Sequence, residues 1–557
     1  MRGAPRLKSV VRRLGGRRLT ELRRARHTPE VSVVMPVHNV AEYLPAALDS
    51  VLSQSLTSLE VVAVDDGSTD RCLEILRNYE RRDYRVRVLT QPNAGQGVAR
   101  NRGVDAARGE FLTFMDSDDT LPPDAYAVMV EGLRRSGSDF SVGNLRRMRH
   151  GRLTPLIWSR TVHRQDRIGT TIEEFPNAMQ DIIACNRMFR TAFWREQVGA
   201  FEGGIAYEDH VPMLTAYVRA RAFDVLQKVT YHWRIREDLT STGQQKARIA
   251  NLRDRIAVKE QAHELLVREA SDAVYAAWVG RTLEVDFPPF LPHALAGDAD
   301  YRALLAETYR TFLARATPQA FAMVRVAMRL RAHLAAEERW DELFAADDYL
   351  REVQNTPPTR VVDGRLVADF PEGLTWAEAL PAELRWMAPL ESHFEGAVEH
   401  LEWTADSLRI TGWAWLRGLD MAGPSGGTVV RAWLVDSATR SEQIPLRVEQ
   451  RRLPEADEWG PLANASPAGG GFVATADLTA LSPGSWFVEV QVEQEGLVAT
   501  GELHGRVARS AAVRASTGVV DGLGITADWD PATGLTLHVS PGVAVDPQGE
   551  VVEIEDA

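Results

Sequence analysis

Two acidic segments, each directly after a short apolar run, limit what this chain can fold into. Asp65-Asp66-Gly67-Ser68 follows Val61–Val64, and Asp116-Ser117-Asp118-Asp119 follows Phe111–Met115. The β-branched and aromatic runs predict buried strands, so the carboxylates stand where two strands leave a sheet. Ligands of open parallel sheets bind at the carboxyl ends of the strands. Because adjacent carboxylates repel one another, a hard divalent cation carrying a nucleotide diphosphate is the expected ligand.

Strand and helix signals alternate through residues 30–244. Asn39, with Glu42 three residues on, has the pattern of a helix cap, and further helices are predicted from Asp70 and over Val98–Ala107. The predicted strands are Val31–Met35, Leu59–Val64, Val86–Leu89, Phe111–Met115 and Val229–Ile235. This alternation predicts an α/β domain with a mostly parallel, right-handed βαβ sheet.

The remaining chain changes character twice. Residues 245–391 contain Ala-, Leu-, Glu- and Arg-rich stretches, among them Ile249–Ala270 and Ala316–Glu338, whose apolar spacing predicts a helical linker domain. Residues 392–515 have short alternating runs separated by Gly- and Pro-rich turns, the pattern of an antiparallel β-sandwich. Residues 516–557 are predicted as a further β-rich segment.

The net charge of −13 is unevenly distributed. Residues 1–28 carry +9, which leaves −22 for the rest of the chain. The basic leader, residues 1–29, is either an amphipathic helix on an anionic membrane face or a solvated, disordered segment. The acidic body disfavours nucleic acid as a partner. No apolar run approaches the ~20 residues that cross a bilayer, and two cysteines, Cys72 and Cys185, fit a reducing cytosol. We therefore expect a cytoplasmic protein, peripheral on the inner face of the plasma membrane if the leader binds it.

Several further motifs stand in a characteristic order. They are Val31–Asn39, Gln91–Gly95, Ala99–Gly103, Arg108-Gly109-Glu110 and Glu208-Asp209. Over residues 31–240 this order resembles the family 2 glycosyltransferases of the GT-A fold, which are inverting enzymes that use nucleotide-activated sugars. The resemblance implies a nucleotide-diphosphate sugar as donor, with a UDP-sugar favoured, and Mn²⁺ or Mg²⁺ as cofactor.

The same resemblance assigns roles at the first acidic loop. It implies that an acid at Asp65 or Asp66 accepts hydrogen bonds from the nucleobase and ribose, although an Asp in a turn also bonds its own backbone. Pro36 and His38 match the loop beside the base, and Asn93 joins the nucleotide-sugar residues. Arg100, at a helix start, offers a planar fork of donors to the diphosphate. The alternative for Arg100 is a surface charge.

At the second acidic loop, the resemblance implies that Asp116 contacts the ribose and the metal and that Asp118 binds the metal. Asp119 is interpreted rather as the cap of a helix beginning near Pro122. His232, Arg234 and Arg236 alternate along a predicted strand and so share a face. By resemblance, His232 would be a metal ligand, and the two arginines would bind the nucleotide sugar. A solvated strand face is the alternative for all three.

Asp209 is the expected catalytic base. By resemblance, the Asp of the Glu208-Asp209 pair takes the proton of the acceptor hydroxyl, as an inverting transfer requires. Asp209 also precedes a predicted helix, so an N-cap role is the alternative.

The whole layout loosely resembles the bacterial enzymes that glycosylate wall teichoic acid, whose carboxy-terminal sandwich mediates self-association. The expected function is sugar transfer to a surface polymer, such as teichoic acid or capsule, or to its lipid-linked precursor, with a homo-oligomer formed through the sandwich. The alternatives are a catalytically degenerate polymer-binding or assembly protein and a nucleotidyltransferase. Against the latter, Pro36-Val37-His38-Asn39 stands where that class has a Gly-rich basic loop.

Overall fold

A computed structural model describes most of the chain. The described residues are 28–156, 158–236, 245–296, 298–378, 380–404, 406–421, 427–452, 465–503, 516–520, 523–530, 534–541, 543–545 and 551–553. Residues 1–27, which hold nearly all of the predicted basic leader and its membrane contact, lie outside them. The chain divides into two compact units. The first comprises residues up to Thr308 with Arg315–Gln319, and the second comprises Tyr309–Ala314 with the residues from Ala320 onward.

The first unit contains a nine-stranded sheet. Its strands are β1 (Val31–Val37), β2 (Leu59–Asp66), β3 (Val86–Gln91), β4 (Phe111–Phe114), β5 (Phe140–Arg149), β6 (Arg152–Pro155), β7 (Arg167–Thr170), β8 (Arg187–Arg190) and β9 (Phe223–Arg234). The strand order is β3-β2-β1-β4-β8-β5-β9-β7, with β6 on β5. The predicted parallel sheet is confirmed for β3, β2, β1 and β4, whereas β8 runs antiparallel to both its neighbours.

Helices follow most of these strands. Along the chain they are α1 (Leu44–Leu52), α2 (Cys72–Arg82), α3 (Gln96–Ala106), α4 (Ala125–Ser136), α5 (Ser159–Val162), α6 (Thr191–Phe193), α7 (His210–Arg219), α8 (Ile249–Glu269), α9 (Asp272–Arg281), α10 (Leu291–Ala296), α11 (Ala299–Arg315), α12 (Pro318–Phe321), α13 (Val326–Ala336), α14 (Trp340–Glu352), α15 (Thr375–Glu378) and α16 (Ala382–Arg385). The predicted helical region is confirmed, since α8 to α16 lie within residues 245–391.

The two central strands are apolar on both faces because helices cover both. Every residue of β1 and β2 is buried. Val31 and Val33 of β1 pack in one cluster with Leu44 of α1, whereas Val62 and Val64 of β2 pack against α3. This two-sided burial explains the continuous apolar runs, since helices enclose a parallel sheet from both sides.

Strand register brings the acidic loops to one edge. Val37 of β1 pairs with Asp65 of β2, and Val34 of β1 pairs with Phe114 of β4. Both acidic segments therefore leave the sheet at the carboxyl ends of parallel strands that flank β1, where a ligand site is expected.

One local prediction was wrong. Asn39 is not a helix cap: α1 begins five residues later, and the Asn39 side-chain oxygen accepts the backbone N–H of Thr69 at 2.8 Å. The predicted helical stretch Ala316–Glu338 contains the two helices α12 and α13.

The second unit contains two facing antiparallel sheets, which confirms the predicted β-sandwich. Its strands are β10 (Thr359–Val362), β11 (Arg365–Ala368), β12 (Phe394–Trp403), β13 (Ser407–Leu416), β14 (Val429–Asp436), β15 (Gln443–Pro445), β16 (Arg447–Gln450), β17 (Gly471–Asp477), β18 (Gly484–Gln494), β19 (Leu497–Glu502), β20 (Ser516–Val520), β21 (Leu523–Asp530), β22 (Gly534–Pro541), β23 (Val543–Val545) and β24 (Val551–Glu553).

One sheet has the order β12-β13-β17-β16. The other has the order β15-β14-β18-β22-β21-β20, with β19 on β18. Ile410 and Trp415 of the first sheet share one apolar cluster with Trp486 and Val490 of the second. Strands β20 to β22 continue the second sheet, whereas β23 and β24 form a separate two-stranded sheet. The β10–β11 hairpin was not predicted. Among the described residues, no helix is long and apolar enough to cross a membrane.

A fully buried ion network stabilises the first unit around β8. The Asp181 carboxylate accepts hydrogen bonds from Asn186 Nδ2 at 2.7 Å and Arg187 Nη1 at 3.1 Å, and lies 3.0 Å from His163 Nε2. Arg187 also donates to the Tyr217 hydroxyl of α7 at 2.9 Å. Burial alone would raise the pKa of Asp181, but Arg187 and His163 lower it below its usual value.

We expect Asp181→Asn to lower the free energy of unfolding by about 3 kcal/mol or more, because Arg187 is left buried without its countercharge. Since the pKa is lowered in the fold, the carboxylate stabilises above about pH 4 and less as the pH falls through its folded pKa. Chemical denaturation at several pH values measures both effects. The exposed Asp105→Asn is the control, and equal stabilities of the two variants would contradict the role of the network.

Candidate functional site

The first acidic loop contains one carboxylate engaged by the protein and one with an open position. Asp66 accepts the backbone N–H groups of Ala94 and Gly95, each at 2.9 Å, and the side chain of Gln91 at 2.8 Å. It therefore fixes the turn that begins α3. Asp65 is 3% exposed, and its Oδ1 has no hydrogen-bond partner among the described residues. An unsatisfied buried carboxylate oxygen costs free energy that a ligand hydroxyl or N–H group can recover.

His38 is held by this loop in one tautomer. Its Nδ1 lies 2.9 Å from the carbonyl oxygen of Asp66, an acceptor, so Nδ1 carries the proton. Nε2 then accepts from Asn93 Nδ2 at 3.2 Å. Pro36 is buried in β1, opposite Val64. The structure thus brings Pro36, His38, Asp65, Asp66 and Asn93 into one loop cluster, and their contacts with a nucleotide remain predictions.

Arg100 of α3 connects the second acidic loop to the Glu208-Asp209 segment. Its Nη2 donates to Asp116 Oδ1 at 2.7 Å, and its Nη1 donates to Glu208 Oε1. Glu208 Oε2 accepts from Gln96 at 2.9 Å. The Arg100 guanidinium lies 5.3 Å from the centre of the Phe201 ring. Arg100 is 2% exposed and forms ion pairs with both carboxylates. Its predicted contact with a diphosphate remains a prediction.

Asp119 is buried against β9. Its carboxylate accepts the Tyr231 hydroxyl and the backbone N–H of Arg234, both at 2.6 Å. The Tyr231 oxygen in turn accepts the backbone N–H of Asp116 at 3.2 Å. Burial, with the nearby Asp118 and Asp116 charges, raises the pKa of Asp119 well above its usual value. Asp119 therefore shapes the loop and is not the predicted cap of α4, whose N-cap residue is Asp124.

Arg234 and Arg236 both contact Asp118, and their predicted binding of the nucleotide sugar stays a prediction. Arg236 Nε donates to Asp118 Oδ2 at 2.6 Å, and Arg234 Nε donates to the Asp118 carbonyl oxygen at 2.5 Å. Burial raises the pKa of Asp118, and Arg236 opposes this rise. Asp118 is thus a largely buried carboxylate with one oxygen bound to an arginine.

His232 lies apart from these groups. Its backbone pairs with Thr120 at 2.9 and 3.3 Å, and its ring Nδ1 is 3.4 Å from the Thr120 hydroxyl. The described residues contain no group of three or more His, Cys, Asp or Glu side chains arranged to hold a metal ion. The structure therefore does not bring His232 together with Asp116 and Asp118, and the predicted three-residue metal site is not formed here.

Asp209 is a half-buried carboxylate of raised pKa, and its role as catalytic base stays a prediction. It directly precedes α7, but within the described chain its side chain makes no hydrogen bond that caps this helix. Partial burial, with the Glu208 and Asp116 carboxylates, raises the pKa of Asp209 to about 6, although Arg100 opposes the rise. A carboxylate with such a pKa accepts a proton efficiently near neutral pH.

Close backbone approach holds the loop that carries Glu208 and Asp209. A Cβ atom added at Gly97 of α3 would lie 2.3 Å from the carbonyl oxygen of Glu202, and one added at Gly203 would lie 2.7 Å from the Val98 side chain. Only glycine permits this contact between the loop and α3. A cavity of about 240 Å³ lies beside Glu208, lined by Ala200, Phe201, Glu202, Val211, Pro212, Val258 and Gln261.

Helix α8 holds the residue before Glu208. Tyr207 has a φ of +64°, unusual for a non-glycine residue, and its hydroxyl donates to Asn251 Oδ1 at 2.8 Å. The Arg255 guanidinium lies 4.6 Å from the centre of its ring. The backbone N–H of Ala206 donates to Asp254 at 3.1 Å. These partners were not predicted, because the residues of α8 read only as an apolar helical pattern.

Comparisons with known proteins find sequence matches within the first unit. Residues 32–196 match the family model described as Glycosyl transferase family 2. The chain is 37% identical over 115 residues to Glycosyltransferase GlyA of Streptococcus pneumoniae serotype 4, covering 21% of this chain and 16% of that protein. It is 27% identical over 214 residues to the poly(ribitol-phosphate) beta-glucosyltransferase of Bacillus spizizenii, covering 38% of this chain and 33% of that protein.

A crystal structure of S. aureus TarS aligns with a TM-score of 0.49 and 17% identity, covering 93% of this chain and 87% of that chain. The chain covers a third or less of the length of GlyA and of the poly(ribitol-phosphate) beta-glucosyltransferase.

We expect Tyr207→Ala to be less stable than Tyr207→Gly by about 1 kcal/mol, because glycine adopts a positive φ without strain. Tyr207→Phe, which keeps the ring over Arg255, should lose only the Asn251 hydrogen bond, about 1 kcal/mol. Urea denaturation followed by tryptophan fluorescence measures all three. Indistinguishable Ala and Gly variants would mean that the backbone conformation at Tyr207 does not limit stability.

Proposed function

We propose that this chain, whose residues 32–196 belong to glycosyl transferase family 2, is an inverting glycosyltransferase that uses a nucleotide-diphosphate sugar, with a UDP-sugar favoured. The observation that carries the proposal is Asp209: a partly exposed carboxylate of raised pKa next to the network of Arg100, Asp116 and Glu208. It stands at the carboxyl edge of the sheet together with the open oxygen of Asp65. This edge would offer the nucleotide an acid, Asp65, and the acceptor a base, Asp209.

In this mechanism Asp65 would accept hydrogen bonds from the nucleoside, and the turn fixed by Asp66 would place His38 and Asn93 beside it. Asp209 would take the proton of the acceptor hydroxyl as that oxygen attacks the anomeric carbon from the face opposite the diphosphate. Arg100 would keep Asp116 and Glu208 in place while the bond to the leaving nucleotide breaks. Its charge also keeps the pKa of Asp209 from rising further.

The carboxylates of Asp116 and Asp118 suit Mn²⁺ or Mg²⁺, which prefer oxygen ligands. Asp116 is one third exposed and uses only Oδ1 for Arg100, so its second oxygen is open to a cation. Asp118 would supply a further carboxylate. A cation bound there would stabilise the negative charge of the departing diphosphate. His232 is left out of this ligand set because its ring lies against Thr120.

The proposed acceptor is a bacterial surface polymer, of the teichoic acid or capsule type, or its lipid-linked precursor. Support comes from one relative, the poly(ribitol-phosphate) beta-glucosyltransferase of Bacillus spizizenii. The proposal also includes a cytoplasmic location with contact to the inner membrane face through residues 1–28. It further includes self-association through the sandwich.

We expect Asp209→Asn to lower the release of nucleoside diphosphate from a UDP-sugar by roughly 10²–10⁴-fold, with donor binding nearly unchanged. In the unmodified protein, turnover should fall about tenfold per pH unit below about pH 6, since only the deprotonated carboxylate is a base. Calorimetry and a pH–rate profile measure the two effects, with the exposed Asp105→Asn as control. Full turnover by Asp209→Asn would assign the base to another residue.

Asp118→Ala should weaken UDP binding strongly in the presence of Mn²⁺ or Mg²⁺ but only slightly in the presence of a chelator. The reason is that Asp118 would hold the cation and the cation would hold the phosphates. Calorimetric titration of both proteins under both conditions gives the four affinities, again beside Asp105→Asn. Equal losses with and without metal would show that Asp118 acts only through its contact with Arg236.

A further inference from the structure

An exposed hairpin of unusual charge adjoins the candidate site. We call it the arginine hairpin: residues 144–155, formed by the end of β5, a turn at His150-Gly151 and β6. It contains four arginines, Arg146, Arg147, Arg149 and Arg152, one histidine and no acid, in a chain of net charge −13. Such a local excess of positive charge in an acidic protein marks a surface for anions.

The described residues offer the hairpin arginines no countercharge. Within the described residues, none of the four forms an ion pair, whereas exposed Arg219 and Arg221 pair with Glu269 and Asp139. Register places Arg149 opposite Arg152 on one face of the hairpin. Arg147 lies over the ring of Trp233 at 5.7 Å. Like charges placed side by side without acids repel, and a bound anion would relieve that repulsion.

Strand pairing places this charge next to the second acidic loop. Arg146 of β5 pairs with His232 of β9, and Met148 pairs with Arg234, whose side chain donates to the Asp118 carbonyl oxygen. Since neighbouring strands lie about 4.8 Å apart, the hairpin begins within one strand spacing of the residues that contact Asp118.

A cavity on this side adds one further cationic group, Lys228, to the hairpin arginines. It has a volume of about 450 Å³ and is lined by Pro122, Asp124, Arg146, Leu153, Lys228, Val229 and His232. Lys228 pairs with Asp124 at 2.8 Å, so Asp124 offsets one of its positive charges. Arg146 donates to Asn144 Oδ1 at 3.3 Å and forms no ion pair with any residue that the structure describes. The cavity is therefore large enough for a phosphate group and is positively charged.

We propose that the arginine hairpin and this cavity form a binding surface for phosphodiester groups of an anionic acceptor polymer. The inference rests on the proposed function, because it places the polymer's negative backbone beside the site where its hydroxyl would react. A polymer is favoured over a membrane face because Leu153 is the one large apolar side chain exposed among the described residues of the hairpin. Planar guanidinium groups suit phosphate oxygens.

The test compares Arg149→Gln/Arg152→Gln with Arg102→Gln/Arg135→Gln in the full chain. The control pair removes the same charge from exposed arginines of the same unit that form no ion pair among the described residues. Inorganic polyphosphate is the probe, titrated by fluorescence anisotropy at several salt concentrations. Because residues 1–28 are present in every protein, their contribution is common to all titrations.

We expect the hairpin variant to lose about tenfold in polyphosphate affinity and to show a shallower salt dependence, with the control close to wild type. UDP binding with Mn²⁺ should be unchanged in both variants. Equal affinities in all three proteins, or equal losses in both variants, would overturn the proposal. A loss confined to vesicles of phosphatidylglycerol, absent with polyphosphate, would also overturn it in favour of membrane contact.

The two proposals fail separately. If the unmodified protein releases no nucleoside diphosphate from any UDP-sugar but the hairpin variant still loses polyphosphate affinity, the transfer reaction is wrong and the anion surface stands. If turnover is normal and polyphosphate binding does not depend on the hairpin, the surface is wrong and the transfer reaction stands.

Discussion

One buried guanidinium joins the parts of this site that chain order keeps far apart. Arg100 of α3 holds Asp116, two residues after β4, and Glu208, which follows Arg100 by more than a hundred residues. Removing that charge would leave two carboxylates facing each other in a largely buried setting, which costs several kcal/mol. The position of Asp209 and the pKa of its carboxyl both depend on this ion pair, because Glu208 precedes Asp209 directly and Arg100 opposes its protonation.

The acidic loops contain two kinds of carboxylate. Asp66 and Asp119 use their oxygens on the protein itself and so hold the loops in one conformation. Asp65 is buried with one oxygen unpartnered among the described residues, and Asp116 is one third exposed and uses only one oxygen for Arg100. Hydrogen bonds to Asp66 and Asp119 stabilise these carboxylates and so offset their repulsion of the other two.

Patterns of apolar residues predicted β1, β2 and β4 well, because every residue of these strands is buried. Local signals failed where a distant partner competes. Asn39 has the sequence of a cap, yet Thr69, thirty residues on, takes its amide oxygen. Asp119 likewise reads as a cap, but Tyr231 and Arg234 take its carboxylate. The neighbours of Tyr207 could not be foreseen, since Asn251 and Arg255 carry no motif of their own.

The contacts of α8 with Tyr207 show that structural support for the Glu208-Asp209 segment lies beyond the predicted end of the first domain. Sequence patterns place a boundary after residue 244, yet Asn251 and Arg255 support the backbone next to Glu208, and Arg255 is itself paired with Asp286. A fragment cut at 244 would keep Asp209 but lose Asn251 and Arg255, the α8 residues that hold Tyr207 two positions before it. The smallest self-sufficient piece of this protein therefore extends into its helices, and swapping the sheet domain alone between relatives would separate the chemistry from its support.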